Sequence, residues 1–92
     1  MAVCLLIEPR GGTIEQYDKV MEKLEGSGGA LGEGQTFHAC GPTDDGFMVI
    51  DVWESREHFD RFLQGRLGQA LQEINMPQPQ VTEISLHNQV VG

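Results

Sequence analysis

The chain has 92 residues, enough for one domain and too few for two independent cores. Fourteen acidic residues against six basic ones give a net charge of −8, which opposes binding to nucleic-acid phosphates or to an anionic membrane surface. No apolar run approaches the roughly 20 residues of a membrane span, and no basic segment followed by an apolar stretch opens the sequence, so a cytoplasmic location is expected. Cys4 and Cys40 stand far apart without a second Cys or His at ligand spacing, so neither zinc nor any other metal is expected.

Val3 to Glu8 (VCLLIE) is short and apolar on both faces, bounded by Pro9 and Gly11-Gly12, and reads as a buried strand. Thr13 to Glu25 reads as a helix. Thr13 and Gln16 fit a capping box, and Ile14, Tyr17, Val20, Met21 and Leu24 fall on one face. The glycine-rich stretch Gly26 to Gly34 follows a helix and matches no phosphate-binding loop or dinucleotide fingerprint. It reads as a flexible connection, and no organic cofactor is expected.

Gln35 to Cys40 and Gly46 to Glu54 read as a hairpin around the turn cluster Gly41 to Asp45. Ser55 is an N-cap for a second helix whose apolar stripe runs from Phe59 to Ile74, weakened at Gly65 and Gly68 and stopped by Pro77 and Pro79. Val81 to His87 alternates and reads as the last strand. The order β-α-β-β-α-β predicts an α+β, ferredoxin-like domain over residues 1–92. It consists of a four-stranded antiparallel sheet in the order 4-1-3-2 with two helices on one face.

Period-2 alternation divides the hairpin into two faces. One carries Thr36, His38, Cys40, Phe47, Val49, Asp51 and Trp53. The other carries Phe37, Ala39, Met48, Ile50 and Val52, is wholly apolar, and is expected under the helices. The turn length pairs Cys40 with Phe47, His38 with Val49 and Thr36 with Asp51. The mixed face would then be open, and Phe47, Val49 and Trp53 would drive a homodimer with sheets opposed and the polar members lining a cavity between them.

The βαββαβ order, the length, GFMVIDVWES at Gly46 to Ser55 running into HFDRF, and LHNQV at Leu86 to Val90 together resemble the antibiotic-biosynthesis-monooxygenase-like group of dimeric α+β barrels. The resemblance implies a homodimer with a ligand cavity between sheet and helices in each protomer. It also implies that Trp53, on the third strand, holds an aromatic substrate together with nearby polar groups. The haem-degrading members use an Asn on the first strand, and Val3 to Glu8 has none.

His38, Asp51 and His87 are the candidate catalytic residues, and Phe47 and Trp53 the candidates for stacking a ligand ring. A His titrates near neutral pH and can take a phenolic proton, and a carboxylate can orient it. Asp51 could equally bond Thr36 or pair with Arg10. The spacing along the strands groups His87 with Trp53, and His38 with Cys40 and Phe47. Two functions follow as expectations: a cofactor-independent monooxygenase on a small aromatic or polyketide-like substrate, or a non-catalytic module of the same fold that binds a small apolar ligand or dimerises.

Overall fold

The computed structural model describes residues 1–92. Its strands are β1 (Val3–Glu8), β2 (Gln35–Thr43), β3 (Gly46–Trp53) and β4 (Gln80–Ser85), and its helices are α1 (Ile14–Gly26), α2 (Arg56–Gln64) and α3 (Arg66–Ile74). The strands form one antiparallel sheet in the order β2-β3-β1-β4, as the order of elements predicts. No helix is long and apolar enough to cross a membrane.

Local chemistry accounts for most element ends. Thr13 caps α1 by accepting from the Gln16 backbone N–H, while the Gln16 side chain accepts from the Thr13 N–H, so two orphan donors are satisfied. Ser55 accepts from the His58 N–H at the start of α2. The predicted second helix is two helices, because Gly65 takes φ −110° and ψ −119° between them. A Cβ at Gly68 would strike the Leu63 carbonyl, so that glycine allows α3 to fold back closely on the end of α2.

The hairpin corrects two expectations. Gly41 to Thr43 belong to β2, and the turn shrinks to Asp44-Asp45. The register therefore shifts by two residues: His38 lies opposite Asp51, Cys40 opposite Val49 and Pro42 opposite Phe47, with an irregularity between Gln35 and Phe37. A shift of two keeps each residue on its face.

The second correction concerns which face the helices cover. It is the mixed face. Trp53 is fully buried against Phe59 and Phe62 of α2, with ring centroids 5.6 Å apart in both cases. Phe47, Val49 and Asp51 are buried beside it with Val3 and Leu5. Ile50 and Phe37, expected inside, stand 37 % and 47 % exposed. The physical reason is that the largest side chains, Trp53 and Phe47, have more to gain from burial than Ala39 or Met48. The polar groups among them satisfy one another and so carry little desolvation cost. On β4 the same inversion leaves Ile84, expected under the helices, on the open side opposite Cys4.

The core therefore lies between sheet and helices. One cluster joins Val3, Leu5, Trp53 and Phe59, and a second joins Val20, Leu24 and Ala70 across α1 and α3. The glycine-rich connection is pinned. The Arg66 guanidinium donates to the carbonyls of Leu24 (3.2 Å), Gly29 (2.9 Å) and Leu31 (3.2 Å), and lies over the Phe62 ring. Gly32 passes so close to Trp53 and Phe62 that a Cβ there would sit 2.8 Å from both.

Candidate active site

Between the sheet and the helices lies a cavity of about 120 Å³. Ile7, Phe47 and Val49 form its sheet wall, and Tyr17, Val20, Met21 and Leu24 of α1 form one side. Phe59, Phe62, Leu67 and Leu71 of α2 and α3 close it. The wall is apolar apart from Gln35, His38, Asp51 and the Tyr17 hydroxyl. The site thus lies between sheet and helices, the arrangement that the family resemblance implies, and not between two opposed sheets.

The polar groups form a chain. Asp51 is 4 % exposed, and its two oxygens accept from His38 Nδ1 at 2.6 Å and from Trp53 Nε1 at 3.3 Å. A carboxylate can only accept, so His38 Nδ1 donates, and in the neutral imidazole Nε2 is then a lone-pair acceptor. The Tyr17 hydroxyl lies 2.5 Å from Nε2 and donates to it. The two rings are stacked at 5.9 Å with planes 8° apart, and Tyr17 meets Phe47 edge-on at 5.5 Å. Burial pushes the Tyr17 phenol up to about 12, and the nearby Cys40 thiol and the Asp51 and Asp18 carboxylates add to the shift. Tyr17 therefore stays a hydroxyl donor through the neutral range. Burial also raises the Cys40 thiol, with Asp18 adding to it and a hydrogen bond with Tyr17 opposing it. No group of three or more His, Cys, Asp or Glu side chains is placed to hold a metal ion.

The structure brings together His38, Asp51 and Phe47. Asp51 takes neither alternative partner: Thr36 Oγ1 donates to the Val52 carbonyl at 3.3 Å, and Arg10 lies 3.8 Å from Asp45. Trp53 is not on the cavity wall. It is packed behind it and reaches the site through its indole N–H on Asp51. His87 lies beyond the end of β4, exposed and away from the cavity. The end of β4 is level with Trp53, since Val3 pairs with both Trp53 and Ser85, but the strand stops at Ser85 and His87 stands exposed past it while Trp53 is buried under α2. Sequence reasoning passed over Tyr17 and Gln35. The available signal for Tyr17 was a polar-tipped aromatic within the apolar stripe of α1, a position where a hydroxyl needs a buried partner.

The geometry suits proton transfer beside an apolar wall. An acceptor nitrogen, held in one tautomer by a buried carboxylate, faces an apolar chamber through a displaceable hydroxyl.

No family model and no curated protein matches this chain. Solved structures do. A dimeric ferredoxin-like protein from Thermobifida fusca shares 17 % identity at a TM-score of 0.67, over 94 % of this chain and 92 % of that one. SnoaB from Streptomyces nogalater, described as a cofactor-independent oxygenase, shares 14 % identity at a TM-score of 0.63, over 97 % and 95 %. The monooxygenase ActVA-Orf6 of Streptomyces coelicolor, solved with the ligand Nanaomycin D, shares 16 % identity at a TM-score of 0.55, over 99 % and 91 %. At these identities the likeness is one of fold, and the chain shares the ferredoxin-like fold of these structures.

Proposed function

We propose that the chain is a cofactor-independent monooxygenase whose substrate is a small hydroxylated aromatic compound bound in the sheet–helix cavity. The observation that carries the proposal is the Tyr17–His38–Asp51 chain at the one polar end of an otherwise apolar chamber. His38 Nε2 takes the phenolic proton, and Asp51 holds the resulting imidazolium. The ring anion then reduces dioxygen directly. One oxygen atom enters the ring as a quinone carbonyl and the other leaves as water, carrying the two hydrogens lost by the substrate. Base catalysis of this kind contributes roughly 10² to 10⁴-fold. The fold-level likeness to an oxygenase described as cofactor-independent supports the reading.

The test is oxygen uptake with a panel of hydroxyaromatics from one ring to three, including dihydroxynaphthalenes and anthrone. Uptake is expected to persist after exhaustive chelation and without added flavin or nicotinamide. Activity lost to EDTA and restored by a divalent ion would refute the cofactor-free reading. Binding across the panel without any uptake would make the protein a ligand-binding module.

The chain is also proposed to act as a homodimer, but through the opposite face from the one expected. Leu6, Phe37, Ala39, Met48, Ile50 and Ile84 form an apolar sheet face with no helix over it. Such an area is costly to leave in water on a protein of this size. A second copy covers it with the same residues by two-fold symmetry, and the similar protein from Thermobifida fusca is described as dimeric. Light scattering at micromolar concentration should return twice the chain mass for the unmodified protein and the single-chain mass for Ile50→Asp. A single-chain mass for the unmodified protein would overturn the dimer.

A further inference from the structure

The size of the cavity and the order of groups at its polar end together restrict what it can hold. At about 120 Å³ it is somewhat smaller than the engineered cavity of about 150 Å³ that takes up benzene. One six-membered ring fills its enclosed part, whereas a fused second ring has to protrude through the open side and lose apolar contact there.

At the polar end a donor and an acceptor already face each other, Tyr17 O–H and His38 Nε2, 2.5 Å apart. Anything that reaches Nε2 must part them. A ring hydroxyl does so without loss, because its oxygen accepts from Tyr17 while its own hydrogen goes to Nε2. A ring N–H without an acceptor lone pair, as in pyrrole, bonds Nε2 but leaves the half-buried Tyr17 hydroxyl only the Cys40 sulfur, a weak acceptor, as partner. An aryl ether accepts from Tyr17 but leaves Nε2 unpaired. A buried polar group left without its partner costs more than a hydrogen bond contributes on average, and sites of this kind discriminate sharply between ligands.

We propose that Tyr17 is the specificity-determining residue of this cavity. It closes His38 Nε2 while the cavity is empty and yields only to a single-ring ligand bearing a ring hydroxyl, whose oxygen it then holds against His38. The inference rests on the placement of the active site in this cavity and narrows its substrate to monocyclic phenols. The proton balance follows. The ligand hydroxyl proton passes to His38 Nε2, Asp51 steadies the imidazolium through Nδ1–H, and Tyr17 keeps its own proton and donates to the phenolate oxygen.

The experiment titrates the full chain with phenol, pyrrole, anisole, 1-naphthol and anthrone, following emission of the single tryptophan, Trp53, which is hydrogen-bonded to Asp51. Phenol is expected to bind about tenfold tighter than pyrrole or anisole, the effect of one well-made hydrogen bond, and tighter than either fused-ring compound. In Tyr17→Phe, which keeps the ring that stacks on His38 and meets Phe47, His38 Nε2 is free from the start. The preference for phenol over pyrrole should then fall to within about threefold, while the preference over anisole remains. A packing role alone would weaken all five ligands together and leave these ratios unchanged. That outcome, or fused rings binding as tightly as phenol, would overturn the proposal. If Tyr17→Phe fails to fold, the ranking of the five ligands on the unmodified protein still decides the size and hydroxyl requirements. Phenol binding without oxygen uptake would leave this selectivity standing and remove the oxygenase reading. Uptake with anthrone but no binding of phenol would do the reverse.

Discussion

Trp53→Ala is expected to cost about 3–5 kcal/mol and to lower Tm by more than about 12 °C. The side chain is fully buried and joins β3 to Phe59 and Phe62 of α2. Its loss opens a cavity at the centre of the cluster with Val3 and Leu5, in a domain whose whole stability is of the order of 5–15 kcal/mol. The indole N–H on Asp51 disappears with it, so the carboxylate keeps only His38 as partner. Expression should fall, and thermal melting followed by circular dichroism should show the shift directly. The sequence alone expected this residue at the seam of the dimer, where its removal would weaken assembly and any function of the cavity. A variant that melts within a few degrees of the parent but runs as a monomer would restore that placement.

His38→Gln should lower turnover by about 10²- to 10⁴-fold, the usual contribution of a positioned base. Gln can still donate to Asp51, so the buried carboxylate is not stranded, but an amide cannot take a proton from substrate. Stability should change by no more than about 1–3 kcal/mol, the range for disturbing one buried hydrogen-bonded group. The check is a rate measurement on protein shown to be folded by its melting transition. Turnover within twofold of the parent would remove His38 from the chemistry. His87→Ala, in contrast, should leave turnover and melting unchanged, because His87 is exposed beyond β4.

The order of elements was legible because each boundary had a local chemical cause: Pro9 and the glycines after β1, the Thr13–Gln16 box, the Ser55 cap, and the prolines after Ile74. The break at Gly65 was legible only as a weakness, since a glycine inside a helical stripe is tolerated as often as it divides one. His38, Asp51 and Phe47 were found because alternation puts them on one face whatever the register. Which side of the sheet that face looks toward was not legible. A strand pattern defines two sets of residues and not their destinations, and Asp51 and His38 argued for an open face as long as each was considered separately. Their hydrogen bond, which makes burial tolerable, depends on a register shift of two residues set by the Asp44-Asp45 turn. Tyr17 lay outside the strands altogether, and only the packing of α1 on the sheet brings its hydroxyl to His38.

β3 separates the two sides of the sheet, with Phe47, Val49 and Asp51 on the cavity wall, Trp53 packed behind it, and Met48, Ile50 and the buried Val52 on the opposite face. On the proposed reading, neighbouring residues of this strand carry separate duties, chemistry for one and self-association for the next. Relatives of this chain could exchange ligands by drifting at odd-numbered positions while keeping their quaternary structure. They could equally change partners at even-numbered positions without touching the reaction. On that reading, a single eight-residue strand keeps the ligand-facing and partner-facing positions separable by substitution.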